Sequence, residues 1–272
     1  MIFVRDKGRL CNNILQYGHF YAWGREHGRA TMSMRFAYKY RYFHICHTPH
    51  HNFPTYLFAK YAAKCGLLPV ADFGTDGPND PEGQETLMTG RRHIVAQGWY
   101  ARWYDLFLKY KQEIIGLFAF DEQVKQGPRR LLATMGEADV RLGMHIRRGD
   151  YRTWHGGRYF FSDEQYIGLI RQFADLHRGE RLQVFVCGND PSLSEEVYRR
   201  ALPNVQLQFP KGNPGEDLYL LSQCDYLMGP PSTFTLVASM YRDLPLYWIE
   251  SADEPLDGGM FRHFDTLFQQ IK

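Results

Sequence analysis

Two adjacent arginines lie in the segment of this sequence whose side chains are best suited to chemistry. His145, Arg147, Arg148 and Asp150 follow one another within residues 143–151, where an apolar run ends. Arginine presents a planar fork of donors that matches phosphate oxygens in a way that lysine does not. The segment is either an anion site or a surface cluster in which Asp150 pairs with Arg148 and shapes the corner.

A second stretch, residues 216–235, carries groups of the same kind. Its Gly-Pro-Pro-Ser-Thr-Phe run places Ser232 and Thr233 at the start of an expected helix. Hydroxyls and free backbone N–H groups at a helix N-terminus bind anions. The plain alternative is N-capping of the helix by either hydroxyl. Two anion-suited corners at strand ends fit a pyrophosphate better than either corner fits alone.

The elements around these corners follow a strand–helix alternation that begins at about residue 139. Such alternation is typical of βαβ units on a parallel, Rossmann-like sheet. Ligands bind at the carboxyl ends of such strands, and both corners are expected there. The expected strands are 139–146, 182–187, 205–209, 226–228 and 246–249, and the expected helices are 166–176, 192–201, 216–223 and 232–242.

The first half also starts as a βα unit, but it becomes less regular. A domain boundary is placed after Gly136, which gives an N-terminal domain over 1–136 and a Rossmann-like C-terminal domain over 137–272; the family resemblance described below implies an acceptor-side role for the first and GDP-sugar binding for the second. The glycines and prolines of residues 72–86 predict a mobile loop. The other expected elements are a strand at 2–4, a loop at 6–10 and helices at 12–27, 53–65 and 121–135.

Composition excludes several classes of protein. The chain has 272 residues, with 32 Lys+Arg against 30 Asp+Glu, a net charge of +2 and 15% aromatic residues. The aromatic content excludes a disordered chain, and the balanced charge gives no overall bias toward nucleic acid or an anionic membrane. The five cysteines form no CxxC pair and are expected to be free thiols in a reducing compartment. No apolar run predicts a signal peptide or a membrane span, so a cytoplasmic protein with at most peripheral membrane contact is expected.

Other stretches resemble sites without matching a known pattern. Residues 44–51 gather four histidines and Cys46. Their spacing matches no zinc pattern, so a solvated loop is expected there, or, if the family resemblance described next holds, a lining of the acceptor cleft. Residues 35–43 and 99–104 interleave cations with aromatic rings. Such stretches suit single-stranded nucleic acid, core packing with snorkelling cations, or stacking on a sugar.

Four motifs, in order between residues 8 and 240, resemble those of the α1,2-fucosyltransferases (glycosyltransferase family 11) and their relatives that form α1,6 and protein O-linked fucosides. His145-Ile-Arg-Arg-Gly-Asp-Tyr resembles the HxRRxDY motif. Residues 8–17 resemble the N-terminal Gly-Asn-Gln segment, and Gly98-Trp-Tyr resembles the Gly-Tyr-Phe segment. Residues 217–225, followed by Ser232-Thr-Phe, resemble the Asp…Leu-Ser-x-Cys and Ser-Thr-Phe block.

The resemblance implies an α/β protein of GT-B type, with two Rossmann-like domains facing across a cleft. It implies a bacterial, inverting, GDP-fucose-dependent transferase like the galactoside 2-α-L-fucosyltransferases, which uses no metal and acts on a galactose-containing glycan. Its partners would be GDP-fucose and the acceptor, without nucleic acid. In such an enzyme the leaving GDP needs donors that are already in place. The sequence has no DxD motif that would carry a metal-bound donor.

The resemblance also assigns roles to individual residues. Arg147 would hold the β-phosphate, and His145 and Asp217 would contact guanine. Asp150, with Arg147, is the catalytic candidate, because an inverting transferase needs a base for the acceptor hydroxyl. Pairing with Arg148 is its alternative role, and Asp6 is another candidate base. The nucleotide-sugar site would comprise His145, Arg147, Arg148, Asp217, Ser232, Thr233, Phe234 and Asn12.

Departures from the family pattern keep other functions open. Cys11 and Asn13 stand where the family has Gly and Gln, and Pro230 and Pro231 precede the Ser-Thr-Phe corner. The alternatives are a transferase of another GDP-sugar, a non-catalytic protein that binds a nucleotide or another polyanion, and a degenerate transferase that binds the nucleotide without transfer.

Overall fold

The computed structural model describes residues 1–188 and 190–271. They form two compact units, Met1–Asp121 with the C-terminal residues from Gln269, and Glu122–Phe268. The unit boundary therefore precedes helix 122–135, whereas the sequence places it after that helix. The reason is packing, because this helix contacts the helix over 214–222 in the second unit.

The first unit is built on a four-stranded parallel sheet in the order β2-β1-β4-β3. The sequence predicts β1, α1 and α3 of this unit, and it misses the three other strands. The strands are β1 (Ile2–Val4), β2 (Thr31–Ser33), β3 (Val70–Asp72) and β4 (Ile94–Gln97). The helices are α1 (Leu10–Glu26), α2 (Phe36–Lys39), α3 (Phe53–Lys64), α4 (Pro81–Gly90), α5 (Tyr104–Lys109) and α6 (Lys111–Leu117).

The loop predicted over 72–86 is wrong in its second half, where α4 begins. Asp80 is the N-cap of α4, and its side chain accepts a hydrogen bond from the Gly83 N–H. Pro81 occupies the first turn, where a missing N–H costs nothing. The same proline that suggests a loop therefore starts a helix.

The second unit has a five-stranded parallel sheet in the order β7-β6-β5-β8-β9. Every strand and helix predicted between 139 and 249 is present, with boundaries shifted by a few residues. The strands are β5 (Val140–Ile146), β6 (Leu182–Gly188), β7 (Gln206–Gln208), β8 (Tyr226–Gly229) and β9 (Leu246–Trp248). The helices are α7 (Glu122–Met135), α8 (Asp163–Leu176), α9 (Glu195–Ala201), α10 (Pro214–Ser222), α11 (Thr233–Met240) and α12 (Phe264–Phe268).

The order of this sheet determines where a ligand can bind. The chain runs outward from β5 through β6 to β7 and then returns to the other side of β5 with β8 and β9. Strand order therefore reverses between β5 and β8. In open parallel sheets the crevice at such a reversal, beyond the carboxyl ends of the strands, is where ligands bind.

Two features predicted from composition can be compared with the structure. All five cysteines are free, as predicted, and Cys11, Cys187 and Cys224 are buried. Within the two described ranges, no helix combines the length and the apolar character needed to cross a membrane.

Candidate active site

The carboxyl end of β5 lies between two glycines that allow the neighbouring strands to come close. A Cβ on Gly229 of β8 would lie 2.7 Å from the carbonyl oxygen of His145. A Cβ on Gly188 of β6 would lie 2.6 Å from the carbonyl oxygen of Ile146. Since both contacts are with backbone, neither position has room for a side chain. The three strands thus end side by side around His145.

Arg147 leaves β5 toward the N-terminus of α11. Its Nη1 donates to Ser232 Oγ over 3.2 Å. Its Nε and Nη2 donate to the two carboxylate oxygens of Asp150 over 3.2 and 2.8 Å. The guanidinium carbon also lies 4.5 Å from the centre of the Tyr151 ring. Arg147 is therefore held in one orientation, with its charge at the reversal point of the sheet.

Ser232 links this arginine to the helix. It is the N-cap of α11, and its Oγ accepts a hydrogen bond from the Phe234 N–H over 3.1 Å. The Tyr151 hydroxyl donates to the carbonyl of Pro231 and fixes the preceding turn. A helix N-terminus carries partial positive charge and unsatisfied N–H donors. The guanidinium and the helix end therefore place N–H donors at a single corner, beside the carboxylate of Asp150.

His145 and Phe234 stack beside this corner. Their ring centres are 5.1 Å apart, with an angle of 27° between the planes. Burial lowers the pKa of His145 to about 3, with a smaller contribution from the positive charge of Arg147. The imidazole is therefore neutral at physiological pH. Its Nδ1 is buried and has no hydrogen-bond partner among the described residues, which leaves a polar atom for a ligand.

Asp217 is a second buried group with unused hydrogen-bonding capacity. It lies in the first turn of α10, and its Oδ1 is buried without a partner in residues 1–188 and 190–271. Burial, with a smaller effect of the Glu216 charge, raises the pKa of Asp217 to about 7. It borders a cavity of about 330 Å³ whose other walls include Pro128, Leu131, Phe209 and Leu220. Glu216 and Lys211 also line this cavity. A slot with apolar walls and a carboxylate whose oxygen is unpartnered suits a flat ring that carries N–H donors.

Arg148 points into the protein, unlike its neighbour. It is only 7% exposed. Its Nε donates to the Phe161 carbonyl, and its terminal nitrogens form ion pairs with Asp163 and Asp190. The predicted pairing of Asp150 with Arg148 is wrong, because Asp150 pairs with Arg147. The predicted contact of Arg148 with the nucleotide stays a prediction, although its burial and its three partners within the protein favour a structural role.

Asn12, the remaining predicted site residue, belongs to the first unit. It lies against Gly8, whose φ of +104° is the left-handed region that favours glycine. The loop that carries Gly8 is held from α1, where Asn13 Nδ2 donates to the Gly8 carbonyl over 3.1 Å and Gln16 Nε2 donates to the Lys7 carbonyl. Asn13 thus anchors this loop, although the family has Gln at its position.

Asp6 is enclosed in the first unit. It is 1% exposed and accepts hydrogen bonds from Ser33 Oγ over 2.9 Å and from the Tyr40 hydroxyl. Burial raises the pKa of Asp6 to about 6, although these two hydrogen bonds oppose the shift. Unlike Asp150, Asp6 has almost no exposed surface from which to reach a substrate. This arrangement favours a structural role for Asp6 over that of a base that must reach an acceptor.

The histidine-rich stretch is divided between surface and core. His47 is exposed and pairs with Asp121, whereas His51 is buried and accepts a hydrogen bond from the Ser33 N–H over 3.0 Å. Burial lowers the pKa of His51 to about 4. Among the residues whose positions are described, no three His, Cys, Asp or Glu side chains are grouped to hold a metal ion.

In the Gly98-Trp-Tyr motif of the first unit, the backbone conformation requires the glycine. Gly98 has a φ of +114°, and a Cβ there would lie 2.7 Å from backbone nitrogens of both Phe73 and Gly74. Arg102 lies 4.1 Å from the ring centre of Trp99. These contacts favour packing over nucleic-acid stacking for residues 99–104.

Sequence reasoning missed the partners that hold Arg148. Asp163 lies in the first turn of α8, where a carboxylate is common because it interacts favourably with the helix dipole, so the sequence gives no sign of a further role. Asp190 follows β6 at the same edge of the sheet as Arg148. Its position after a buried strand is the signal that could have identified it.

No protein-family model and no curated protein matches this chain. Solved structures do resemble it. Arabidopsis thaliana FUT1, solved as a mutant with GDP, has a TM-score of 0.68 at 14% identity, over 96% of this chain and 73% of that one. NodZ α1,6-fucosyltransferase soaked with GDP-fucose has a TM-score of 0.58 at 14% identity, over 96% of this chain and 98% of that one. POFUT1 in complex with GDP-fucose has a TM-score of 0.58 at 12% identity, over 89% and 93%.

At these identities the likeness shows the fold. The chain has the two-unit, Rossmann-like α/β fold of GT-B glycosyltransferases, which confirms the predicted fold class.

Proposed function

We propose that this protein transfers fucose from GDP-fucose to a galactose-containing glycan, forming an α1,2 linkage with inversion and without a metal ion. The observation that carries the proposal is the corner where Arg147 donates to Ser232 at the N-terminus of α11. It lies at the reversal point of the sheet, beside the stacked rings of His145 and Phe234, and the buried His145 Nδ1 has no hydrogen-bond partner among the described residues. The fold shared with structures that hold GDP or GDP-fucose supports the same donor.

In this proposal the corner binds the diphosphate and the neighbouring groups bind guanine. Arg147, Ser232, Thr233 and the N-terminus of α11 supply fixed donors to phosphate oxygens. Guanine carries an N–H edge and an acceptor edge. It would meet the carboxylate of Asp217 and the neutral imidazole of His145, with Phe234 alongside. We assign Arg148 to holding the corner in place, since its charge is neutralised by Asp163 and Asp190.

The reaction requires these residues to stabilise the leaving GDP and to accept the proton of the acceptor hydroxyl. The bond between the anomeric carbon and the GDP oxygen breaks while the acceptor oxygen bonds to that carbon. The negative charge that grows on GDP is stabilised by Arg147 and the helix end, which are already oriented. The acceptor proton goes to a base, and we propose Asp150, whose side chain is 42% exposed, for this role.

The first experiment measures thermal stabilisation by GDP, GDP-fucose, GDP-mannose, UDP and ADP in the presence of EDTA. A ligand at a hundred times its Kd adds about 2.7 kcal/mol to the free energy of unfolding. We expect stabilisation by the guanine nucleotides, and its loss in Arg147→Ala. Arg181→Ala is the matched control, since Arg181 is exposed and pairs with Asp139 at the other end of the same sheet. Equal effects of GDP, UDP and ADP would contradict the donor assignment.

The second experiment tests transfer. The protein is incubated with GDP-fucose and a β-galactoside, and NMR of the product reports the linkage and the anomeric configuration. An α1,2-fucoside made in EDTA is expected. Turnover with GDP-mannose instead of GDP-fucose would indicate another GDP-sugar. Stabilisation by GDP without transfer to any glycan would favour a nucleotide-binding protein without catalysis.

A further inference from the structure

Helix α3 of the first unit presents its large apolar side chains to solvent. Phe53 is 60% exposed, Phe58 is 55% exposed and Tyr61 is 56% exposed. The residues that α3 buries are Ala59 and Ala62. A surface helix of a globular protein normally buries its large apolar residues and exposes polar ones. In α3 three of the large apolar or aromatic side chains are more than half exposed instead.

The exposed apolar surface continues beyond the end of the helix. Leu67 is 75% exposed and follows Gly66, which has a left-handed φ of +71°. The Leu67 N–H donates to the Ala62 carbonyl, so the chain folds back against the last turn. Val70 is also exposed, on edge strand β3. We call Phe53, Phe58, Tyr61, Leu67 and Val70 the α3 face.

The stretch of sequence that forms this face carries charge of one sign. Residues 27–71 contain no Asp or Glu, although the whole chain has 30 in 272 residues. The same 45 residues contain six Lys or Arg. Two of them, Lys60 and Lys64, are exposed on α3 itself, and the Lys60 Nζ lies 5.9 Å from the Tyr61 ring centre. The α3 face is therefore apolar with cations among its rings.

We propose that the α3 face binds the surface of a membrane that contains anionic lipids, an interaction that goes beyond the proposed transfer reaction. The aromatic and aliphatic side chains would enter the interfacial region, and Lys60 and Lys64 would lie at the level of the lipid phosphates. A helix that lies in the interface plane combines such an apolar face with basic residues. Each cation near an anionic surface adds about 1 kcal/mol, so two lysines and five apolar side chains suffice for reversible binding.

Other occupants fit the face less well. A second copy of the chain, related by a two-fold axis, would bring Lys60 and Lys64 against the same lysines with no acidic partner on the face. Single-stranded nucleic acid stacks on rings, but it gains little from the aliphatic side chains of Leu67 and Val70. An anionic bilayer uses the apolar side chains and the lysines together.

Flotation of the 272-residue chain with vesicles tests the proposal. We expect binding to vesicles of phosphatidylcholine mixed with phosphatidylglycerol, weakened by salt, and little binding to phosphatidylcholine alone. Lys60→Gln with Lys64→Gln should lower the partition coefficient about 30-fold. Phe58→Ser with Leu67→Ser should lower it about tenfold. The matched control is Leu176→Ser with Val197→Ser, because these exposed apolar residues lie in the second unit.

Melting curves establish that each variant is folded, and the lysine variant keeps the test decisive if the apolar one is unstable. Wild-type protein that stays unbound at low salt would overturn the proposal. So would lysine and apolar variants that float as well as wild type. A concentration-dependent dimer that Phe58→Ser with Leu67→Ser abolishes, without vesicle binding, would assign the face to a second copy. Tight binding to a single-stranded RNA with no vesicle binding would assign it to nucleic acid.

Discussion

Arg147 donates from Nη1 to Ser232 Oγ over 3.2 Å, and this contact joins the end of β5 to the start of α11 across 85 residues of sequence. The same oxygen accepts the Phe234 N–H. The hydroxyl therefore orients the guanidinium and caps the helix at once. A phosphate bound here would meet both kinds of donor without any side chain having to be ordered first.

Replacing Arg147 should weaken GDP binding, less with lysine than with alanine. Arg147→Lys keeps the charge but loses the fork, and we expect about a tenfold rise in Kd. Arg147→Ala also removes the charge, and a charged hydrogen bond contributes about 1.5–3 kcal/mol, or roughly 10- to 150-fold. Isothermal titration with GDP measures both values. A Kd for Arg147→Lys equal to that of wild type would show that the fork is not used.

Ser232 offers a way to separate capping from anion binding. Ser232→Asp keeps a good N-cap, so the melting temperature should stay close to that of wild type. Its carboxylate would repel a diphosphate, so GDP stabilisation should disappear. Ser232→Ala should cost about 1 kcal/mol of stability through the lost cap. The idea of a diphosphate at this helix end would fail if Ser232→Asp bound GDP like the wild type.

The affinity for GDP should rise with pH through the titration of Asp217. The pKa of its carboxyl is raised to about 7 by burial, so at pH 6 most of the protein carries a proton on the group that would accept from guanine. His145 is neutral across this range because its pKa is about 3. We expect the Kd of GDP to fall between pH 6 and pH 8, and Asp217→Asn to bind weakly with no such dependence.

The same carboxyl should affect stability with the opposite trend. Between its ordinary pKa of 3.8 and the folded value of about 7, the folded protein holds a proton that the unfolded chain releases. The free energy of unfolding therefore decreases as pH rises through that window. Asp217→Asn removes the penalty, so its melting temperature at pH 8 should exceed that of wild type by roughly 2–4 °C. Identical wild-type and variant profiles would show that the carboxyl is not buried.

The two adjacent arginines should respond differently to the same substitution. Arg148→Met leaves Asp163 and Asp190 without their buried counter-charge, and such a loss costs about 3–5 kcal/mol. Arg147→Met is the matched control, because its partner Asp150 is open to water, and it should change stability by less than about 1 kcal/mol. Urea unfolding measures both. Equal losses would contradict the assignment of Arg148 to a structural role.

Asp150 should affect turnover more than binding if it is the general base. Asp150→Asn removes the proton acceptor and should lower kcat by about 10²- to 10⁴-fold. The Kd of GDP should change little, because the amide can still accept from Arg147. A variant that keeps full transfer would exclude Asp150 as the base, and a change in Kd alone would make it a positioning residue for Arg147.

How far the sequence predicts this fold depends on the length of the elements and on the pattern around them, because β7 and β9 also have three residues but are predicted from the regular strand–helix alternation. In the second unit, β5 and β6 have seven residues each and are bounded by helices with clear starts, such as the Ser162–Gln165 capping box of α8. Their apolar runs are long enough to recognise. In the first unit, β2 and β3 have three residues each. So short a strand shows no periodicity, and its place in the sheet depends on tertiary pairing.

The sequence predicts which residues form the site but not the direction in which their side chains point. The sequence puts Arg147 and Arg148 together, and nothing local says which of them faces the ligand. Tertiary contacts decide this, because Arg148 forms ion pairs with Asp163 and Asp190, whereas Arg147 donates a hydrogen bond to Ser232. Each of these partners is distant in sequence. Their identity could be guessed only from the sheet order that brings them to one edge.

Gly188 and Gly229 limit how this protein could be redesigned. Both flank β5 with no room for a Cβ, so no side chain can be introduced there to alter the ligand's surroundings. A variant meant to accept a different nucleotide base would have to be built from α10 instead, where Asp217 borders a cavity of about 330 Å³. Mutant libraries should therefore leave the strand ends unchanged and vary the walls of that cavity.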